Sequence, residues 1–247
     1  MSSEEYIVIE IPRGPGYRIK TALRRIAMVI YTPFELMSEI AREPELSGAL
    51  LALLLCILIM TLSSTIFSSK VRIIYYNATS GETIGVIGGG IYKRRVLLAL
   101  AMTSITTLMG WLMITIIIYL ISSFLKGVTT LKAVASAIGY TATIKAVVEI
   151  LRIFNIIMAT KGGIVTVKVG LSPGMSMKEV MSIINSAISS YAGWPYALIS
   201  NFLSYLLQIW MLALFIITAY GACGLSLKKA IPIGIVALII STFIRWI

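Results

Sequence analysis

The chain has 247 residues, of which 58% are hydrophobic, with a mean hydropathy of +0.95 and a formal net charge of +11. A soluble domain is about 45–50% apolar, so this composition excludes an ordinary soluble domain and points to a polytopic membrane protein. The chain has no His and no Asp, which removes His-based general base catalysis and the Ser-His-Asp arrangement. It carries no Walker loop and no paired-carboxylate signature. The sequence therefore reads as a non-enzymatic chain with no cofactor, no metal site and no catalytic residues.

The positive charge lies mainly beside apolar segments, where the lipid bilayer and its anionic headgroups are the natural partner, rather than nucleic acid. Cys56 and Cys223 both lie in apolar runs and read as small buried hydrophobes rather than a disulfide. The acidic start, Met-Ser-Ser-Glu-Glu-Tyr, does not resemble a cleavable signal, so the first span is expected to act as its own targeting signal. One Gln, no Asp and abundant Ile hint at a thermophilic source.

Taken in order, Tyr6–Ile11 reads as a short strand, broken by the Pro/Gly run Pro12 to Gly16. Tyr17–Ile30 has a helical pattern, with Ile19, Leu23, Ile26, Ala27 and Ile30 on one face and Arg18, Lys20, Arg24 and Arg25 off it. A basic amphipathic helix of this kind lies in a membrane surface. Thr32-Pro33-Phe34-Glu35 opens a second short helix: Thr32 is expected to cap it, Pro33 suits its first position, and Glu35 would complete a capping box. Phe34, Met37, Ile40 and Ala41 give this helix an apolar face, and Pro44 ends it at Glu43. Residues 1–45 are thus a lead-in of interfacial amphipathic helices.

Residues 46–247 form the membrane domain, expected to be all-α with five transmembrane helices at 48–67, 96–125, 133–158, 194–223 and 230–246. About 20 apolar residues suffice for each crossing. Arg245 and Trp246 would anchor the last span at the interface. The connectors 126–132 and 224–229 are short; 68–95 and 159–193 are long. The first long loop holds Val71–Tyr76 and Thr83–Val86 around an Asn77–Gly81 turn, the pattern of a hairpin. The second holds an alternating strand at Ile164–Val169. It continues with a capping box at Ser176-Met177-Lys178-Glu179, which leads a helix with Val180, Ile183, Ile184, Ala187 and Ile188 on one face. An odd number of spans puts both long loops on one side, where they are expected to form one small extracytoplasmic cap.

Six Lys/Arg in the lead-in and four in the short loops oppose nine on the other side. That near tie leaves the positive-inside rule little to decide. The basic helix beside the first span favours a cell-membrane protein with a cytoplasmic N-terminus and an extracytoplasmic C-terminus. In that orientation the Asn77-Ala78-Thr79 sequon faces outward.

Within the third span, Lys145, Glu149 and Arg152 share one helical face, which Thr141 and Asn155 extend into a polar stripe. Glu149 has i,i+4 spacing to Lys145 and i,i+3 spacing to Arg152, so it can pair with both. Three readings compete: an ion-pair network that fixes packing, charges placed near headgroups, or a path for a transported ion. No second carboxylate in any span offers a relay partner.

Two short motifs carry a family resemblance. Pro44-Glu45-Leu46-Ser47-Gly48-Ala49 opens the first span, and Gly139-Tyr140-Thr141 sits in the third. They resemble the Asp-Leu-(Tyr/Ala)-Gly-Pro and Gly-Tyr-Ser motifs of the Yip (Ypt-interacting protein) family. Thr32-Pro33-Phe34-Glu35 and the tail from Ile209-Trp210 to Gly224-Leu225-Ser226-Leu227-Lys228-Lys229-Ala230 are similar to the prokaryotic branch. The chain departs from the pattern at Glu45, Ala49, Thr141 and Lys145. The resemblance spans about Tyr31 to Trp246, with 159–193 as an insertion. It implies five spans, a cytoplasmic N-terminus and Pro44, Glu45, Leu46, Gly48, Gly139, Tyr140 and Thr141 as partner-binding residues. For eukaryotic members it implies a scaffold for prenylated Rab GTPases. For a prokaryotic chain it leaves a membrane scaffold that recruits other membrane proteins or lipids, with a homo-oligomer compatible with the apolar span faces. The alternatives are an accessory subunit of a larger membrane complex, or a transporter or channel component using the polar stripe.

Overall fold

The computed structural model describes residues 15–91, 93–161, 163–172 and 174–244. The expected strand at Tyr6–Ile11 and the anchors Arg245 and Trp246 lie outside the described residues. Two short helices, α1 (Pro15–Tyr31) and α2 (Pro33–Arg42), lead into the long helix α3 (Leu46–Lys70). The hairpin β1 (Val71–Asn77) and β2 (Thr83–Gly88) follows, then α4 (Lys93–Phe124) and α5 (Leu131–Ala159). After strand β3 (Val165–Leu171) come α6 (Met177–Ala192), α7 (Trp194–Ile217) with a π-helical extension Thr218–Ala222, and α8 (Leu227–Ile244).

Three of these helices are long and apolar enough to cross a membrane: α3, α4, and α7 with its π extension. That measure supports three of the five expected spans. It leaves out α5, which carries Lys145, Glu149 and Arg152, and α8, 18 residues long with Lys228 and Lys229 in its first turn. Helix α5 is nonetheless the axis of the bundle. Every residue from Ala133 to Ile144 is buried, and α3, α4 and α7 all pack on it. The enclosure is confined to this first half; in the second half, which carries Glu149 and Arg152, Ile150, Leu151, Phe154, Ile157 and Met158 are exposed. Thr130 caps it, its side chain accepting from the Ala133 amide.

The fold is not all-α. The two long loops meet in a three-stranded sheet of order β2-β1-β3, antiparallel between β1 and β2 and parallel between β1 and β3. The parallel pair follows from the helices: β1 leaves the end of α3 and β3 the end of α5, so two helices that exit together deliver parallel strands. Val165, Val167 and Val169 alternate inward along β3. They pack with Val71, Ile73 and the α6 residues Val180, Ile184 and Ile188 into a core separate from that of the bundle. The expected cap of strands plus a helix is thus present. At the open end of the hairpin, where it pairs with Arg72, Gly88 adopts φ +88°, and a Cβ there would lie 1.9 Å from the Val71 carbonyl oxygen.

The two short helices differ from expectation in their faces. In α1 the inward residues are Ala22, Arg25 and Val29, while Ile19 and Leu23 of the expected apolar face are exposed. In α2 the buried residues are Leu36, Met37 and Ile40, and Phe34 is exposed. Pro33 does open α2, but Thr32 makes no side-chain cap bond. Its φ of −138° and ψ of 59° lie off the extended geometry from which a capping oxygen reaches the first-turn amides.

The second expected capping box forms in full. Ser176 Oγ accepts from the Glu179 amide, and the Glu179 carboxylate accepts from the Ser176 amide and hydroxyl. These bonds favour the charged form and lower the Glu179 pKa. A carboxylate depressed on folding contributes stability above its unfolded pKa and loses it as pH falls through its folded one. Hydrogen-exchange protection factors of α6 should therefore drop on acidification through the carboxylate range, and Glu179→Gln should remove that dependence.

Candidate functional site

The structure presses the two sequence motifs against each other. Helices α3 and α5 approach most closely where neither has bulk. An added Cβ on Gly139 would stand 2.6 Å from Ala49 Cβ, and one on Gly48 would lie 1.9 Å from the Tyr140 hydroxyl. Real side-chain carbons do not approach so near, so glycine at these two positions is what lets the backbones meet. Tyr140 is fully buried and crosses to α3 in the space Gly48 leaves. Ser136, one turn earlier, donates to the Glu45 carbonyl at 2.8 Å. That bond occupies a backbone acceptor at the start of α3.

Glu45 stands at the N-cap of α3 in extended backbone geometry, where the helix dipole favours a carboxylate. Its Oε1 accepts from Ser47 Oγ at 2.6 Å, and its Oε2 lies 3.6 Å from Arg25 Nη1. Pro44 and Leu46 flank it and are half-buried. Thr141 turns its hydroxyl back onto its own helix, donating to the Ile138 carbonyl at 2.7 Å, and bridges no partner helix among the described contacts.

The sequence reading missed Arg25, the largest fully buried side chain of the bundle. Its Nε donates to Glu39 Oε1 at 3.0 Å and its Nη2 to the Glu43 carbonyl at 3.2 Å. Arg24 reaches the same Glu39 oxygen. One guanidinium thus ties α1 to α2, to the turn that follows it and to the first residue before α3. Arg25, Glu45 and Glu39 are also the charged neighbours of the Tyr140 hydroxyl, which makes no hydrogen bond of good geometry. The available signal was the second face of α1, in which Ala22, Arg25 and Val29 recur at helical spacing. The more hydrophobic face masked it.

The polar stripe lies farther along α5. Glu149 Oε1 pairs with Arg152 Nη1, and its Oε2 accepts from Ser63 Oγ of α3 at 2.8 Å. Arg152 Nη2 donates to Ser204 Oγ of α7 at 3.2 Å, and Asn155 Nδ2 to the Tyr196 carbonyl at 3.3 Å. The stripe therefore joins α3, α5 and α7 by hydrogen bonds. Lys145 sits at the centre of α5, where it and Glu149 line a cavity.

These features define a class: a helical membrane protein whose buried axis is locked to its first long helix by glycine and carboxylate contacts. The model of the Yip1 domain matches residues 27–246, and the chain belongs to that family. Comparison with curated proteins gives no match, and neither does comparison with solved structures. Arg25 lies just ahead of the matched region, although its contacts fall within it.

The geometry predicts how the junction responds to substitution. Gly48→Ala should destabilise by the roughly 1–3 kcal/mol typical of an overpacked core, measured as the thermal midpoint in detergent. Tyr140→Phe alone should cost little, because the lost hydroxyl lies beside the Arg25 guanidinium without a hydrogen bond of good geometry. In the double variant Tyr140→Phe should recover much of the Gly48→Ala loss.

Proposed function

We propose that this chain is a five-crossing, non-enzymatic membrane scaffold that presents a fixed surface at the α1–α2 end of its bundle to other integral membrane proteins. Crossings by α5 and α8 complete the five; the sheet shared by β1 and β3 supports the crossing by α5, since it requires an even number of crossings between those two strands. The lead-in faces the cytoplasm and the cap faces outward.

The observation that carries the reading is the way α1 and α2 are held. Arg25 fixes both helices to the start of α3, and Met37 packs on the π-helical extension of α7, where Gly221 leaves room for it. Held in this way, the surface exposes Tyr31, Phe34 and Tyr220, with Phe34 and Tyr220 in edge contact at 6.3 Å between ring centroids. Arg24 and Arg42 lie exposed on the same two helices. Exposed aromatic and arginine side chains are the composition of protein interfaces, and π-helical turns are frequent at functional sites.

Gentle extraction of the tagged chain from its native membrane should recover integral proteins in fixed ratio. Phe34→Ser with Tyr220→Ser should release them while leaving the thermal midpoint of the chain in place. Recovery of the same proteins with the double variant would overturn the assignment of this surface. Arg25→Met should lower the midpoint and release the partners together. Its cost should fall below the ~3–5 kcal/mol of a broken fully buried pair, because Glu39 and Glu45 keep about a quarter of their surface.

A further inference from the structure

At the end of the bundle nearest the sheet, two basic segments converge. Lys70 closes α3 and Arg72 stands on β1; after the hairpin, α4 opens with Lys93-Arg94-Arg95. Arg72 pairs across the hairpin with Gly88, and its side chain lies over Gly89, where an added Cβ would come 2.6 Å from the guanidinium Nε. The next two residues, Gly90 and Ile91, join Arg95 and the α3 residues Ser64, Thr65 and Ser68 around a small cleft in the α3–α4 seam.

The charge there is not balanced locally. Among the described residues α3, β1, β2 and α4 hold no carboxylate. Glu82 sits in the hairpin turn, at the opposite end of the strands, and Glu149 of α5 is engaged by Arg152 and by Ser63. Lys70 and Arg95 have interactions within the chain. Arg72, Lys93 and Arg94 are exposed, and they are the cations that a ligand at the cleft would meet.

Depth decides the kind of ligand. About 20 residues of helix cross the hydrocarbon core, so α3, counted from Leu46, leaves it near Thr65, at the level of the cleft. On α4, Arg94, Leu98 and Met102 follow at i, i+4 and i+8 on one face, and Leu98 and Met102 are both more than half exposed. That face passes from cation to apolar surface in a single turn, the division of a phospholipid between headgroup and chain. Lys/Arg clusters beside a span attract anionic headgroups, and the guanidinium fork matches phosphate oxygens in pairs.

We propose that the α3–α4 seam binds one anionic phospholipid, its phosphate among Arg72, Lys93 and Arg94 at the mouth of the cleft, its chain along Leu98 and Met102. The site lies at the opposite end of α3 from the α1–α2 surface and does not rest on the scaffold reading.

The test uses the full chain purified in detergent. Native mass spectrometry counts bound molecules, and the thermal midpoint is the second readout. The probes are dioleoyl phosphatidylglycerol, dioleoyl phosphatidylcholine and glycerol 3-phosphate. Phosphatidylglycerol should be retained at one per chain and raise the midpoint saturably; the other two should do neither. Arg72→Gln with Arg94→Gln, both at exposed positions, should weaken the phosphatidylglycerol titration several-fold. Lys132→Gln with Lys228→Gln removes the same charge from exposed positions at the other end of the bundle, and should leave that titration in place. Equal retention of phosphatidylcholine would overturn the anionic headgroup, and an equal shift from glycerol 3-phosphate would overturn the lipid. A titration unchanged by the arginine pair, or weakened equally by the lysine pair, would overturn the location.

Discussion

The structure depends on one close approach, that of the α3 and α5 backbones at Gly48 and Gly139. In a bilayer no hydrophobic force drives helices together, because lipid tails solvate apolar side chains as well as a partner helix does. Contact has to come from backbone proximity, packing and polar bonds. Small residues supply the proximity at this junction: Gly48 and Ala49 on one side, Ser136, Ala137 and Gly139 on the other. Tyr140 then fills the space over Gly48. Glycine here is required by the distance between two helices and not by an unusual backbone angle, since neither Gly48 nor Gly139 has positive φ.

Both ends of the molecule inherit from that contact. At one end it places Glu45 where Arg25 can reach it, and Arg25 draws α1 and α2 onto the bundle. At the other end, α3 and α5 emerge side by side and their continuations pair as parallel strands in register from Val71 with Val165 to Asn77 with Leu171. The cap is therefore an extension of the helix pair, and α6 closes its apolar face. Between the two ends, the bond from Ser63 to Glu149 joins α3 to α5, and the bond from Arg152 to Ser204 joins α5 to α7. Glu149 and Arg152 thus lie where each bonds a side chain of a neighbouring helix.

Much of this was legible in the residues. Apolar runs located the long helices to within a few positions, the alternation in Ile164–Val169 marked β3, and Ser176 with Glu179 marked the start of α6. The motifs containing Gly48 and Gly139 were legible as motifs, but nothing in a linear sequence says that they touch. Arg25 was placed on the polar side of α1 because charge is the usual mark of a solvated face, and tertiary pairing overrode it. The spacing of Phe34, Met37, Ile40 and Ala41 puts Phe34 on the apolar face of α2, yet the surface of α2 that meets the bundle is set by Leu36, Met37 and Ile40. The sheet was expected strand by strand, while the parallel pairing of β1 with β3 depends on the direction of the helices that carry them. Helix α5 shows the limit of hydropathy: its first half is enclosed by its neighbours, and the charges of its second half are bonded to α3 and α7.

The central claim, that the α3–α5 approach holds the molecule together, is tested most directly by exchanging the small residues across it. Thermal midpoints of Gly139→Ala, Ala49→Gly and the double variant would be measured in one detergent. The account predicts that Gly139→Ala lowers the midpoint, because its new Cβ meets Ala49 Cβ at 2.6 Å, and that adding Ala49→Gly restores much of the loss. Losses that simply add, or a Gly139→Ala variant as stable as the parent, would contradict it.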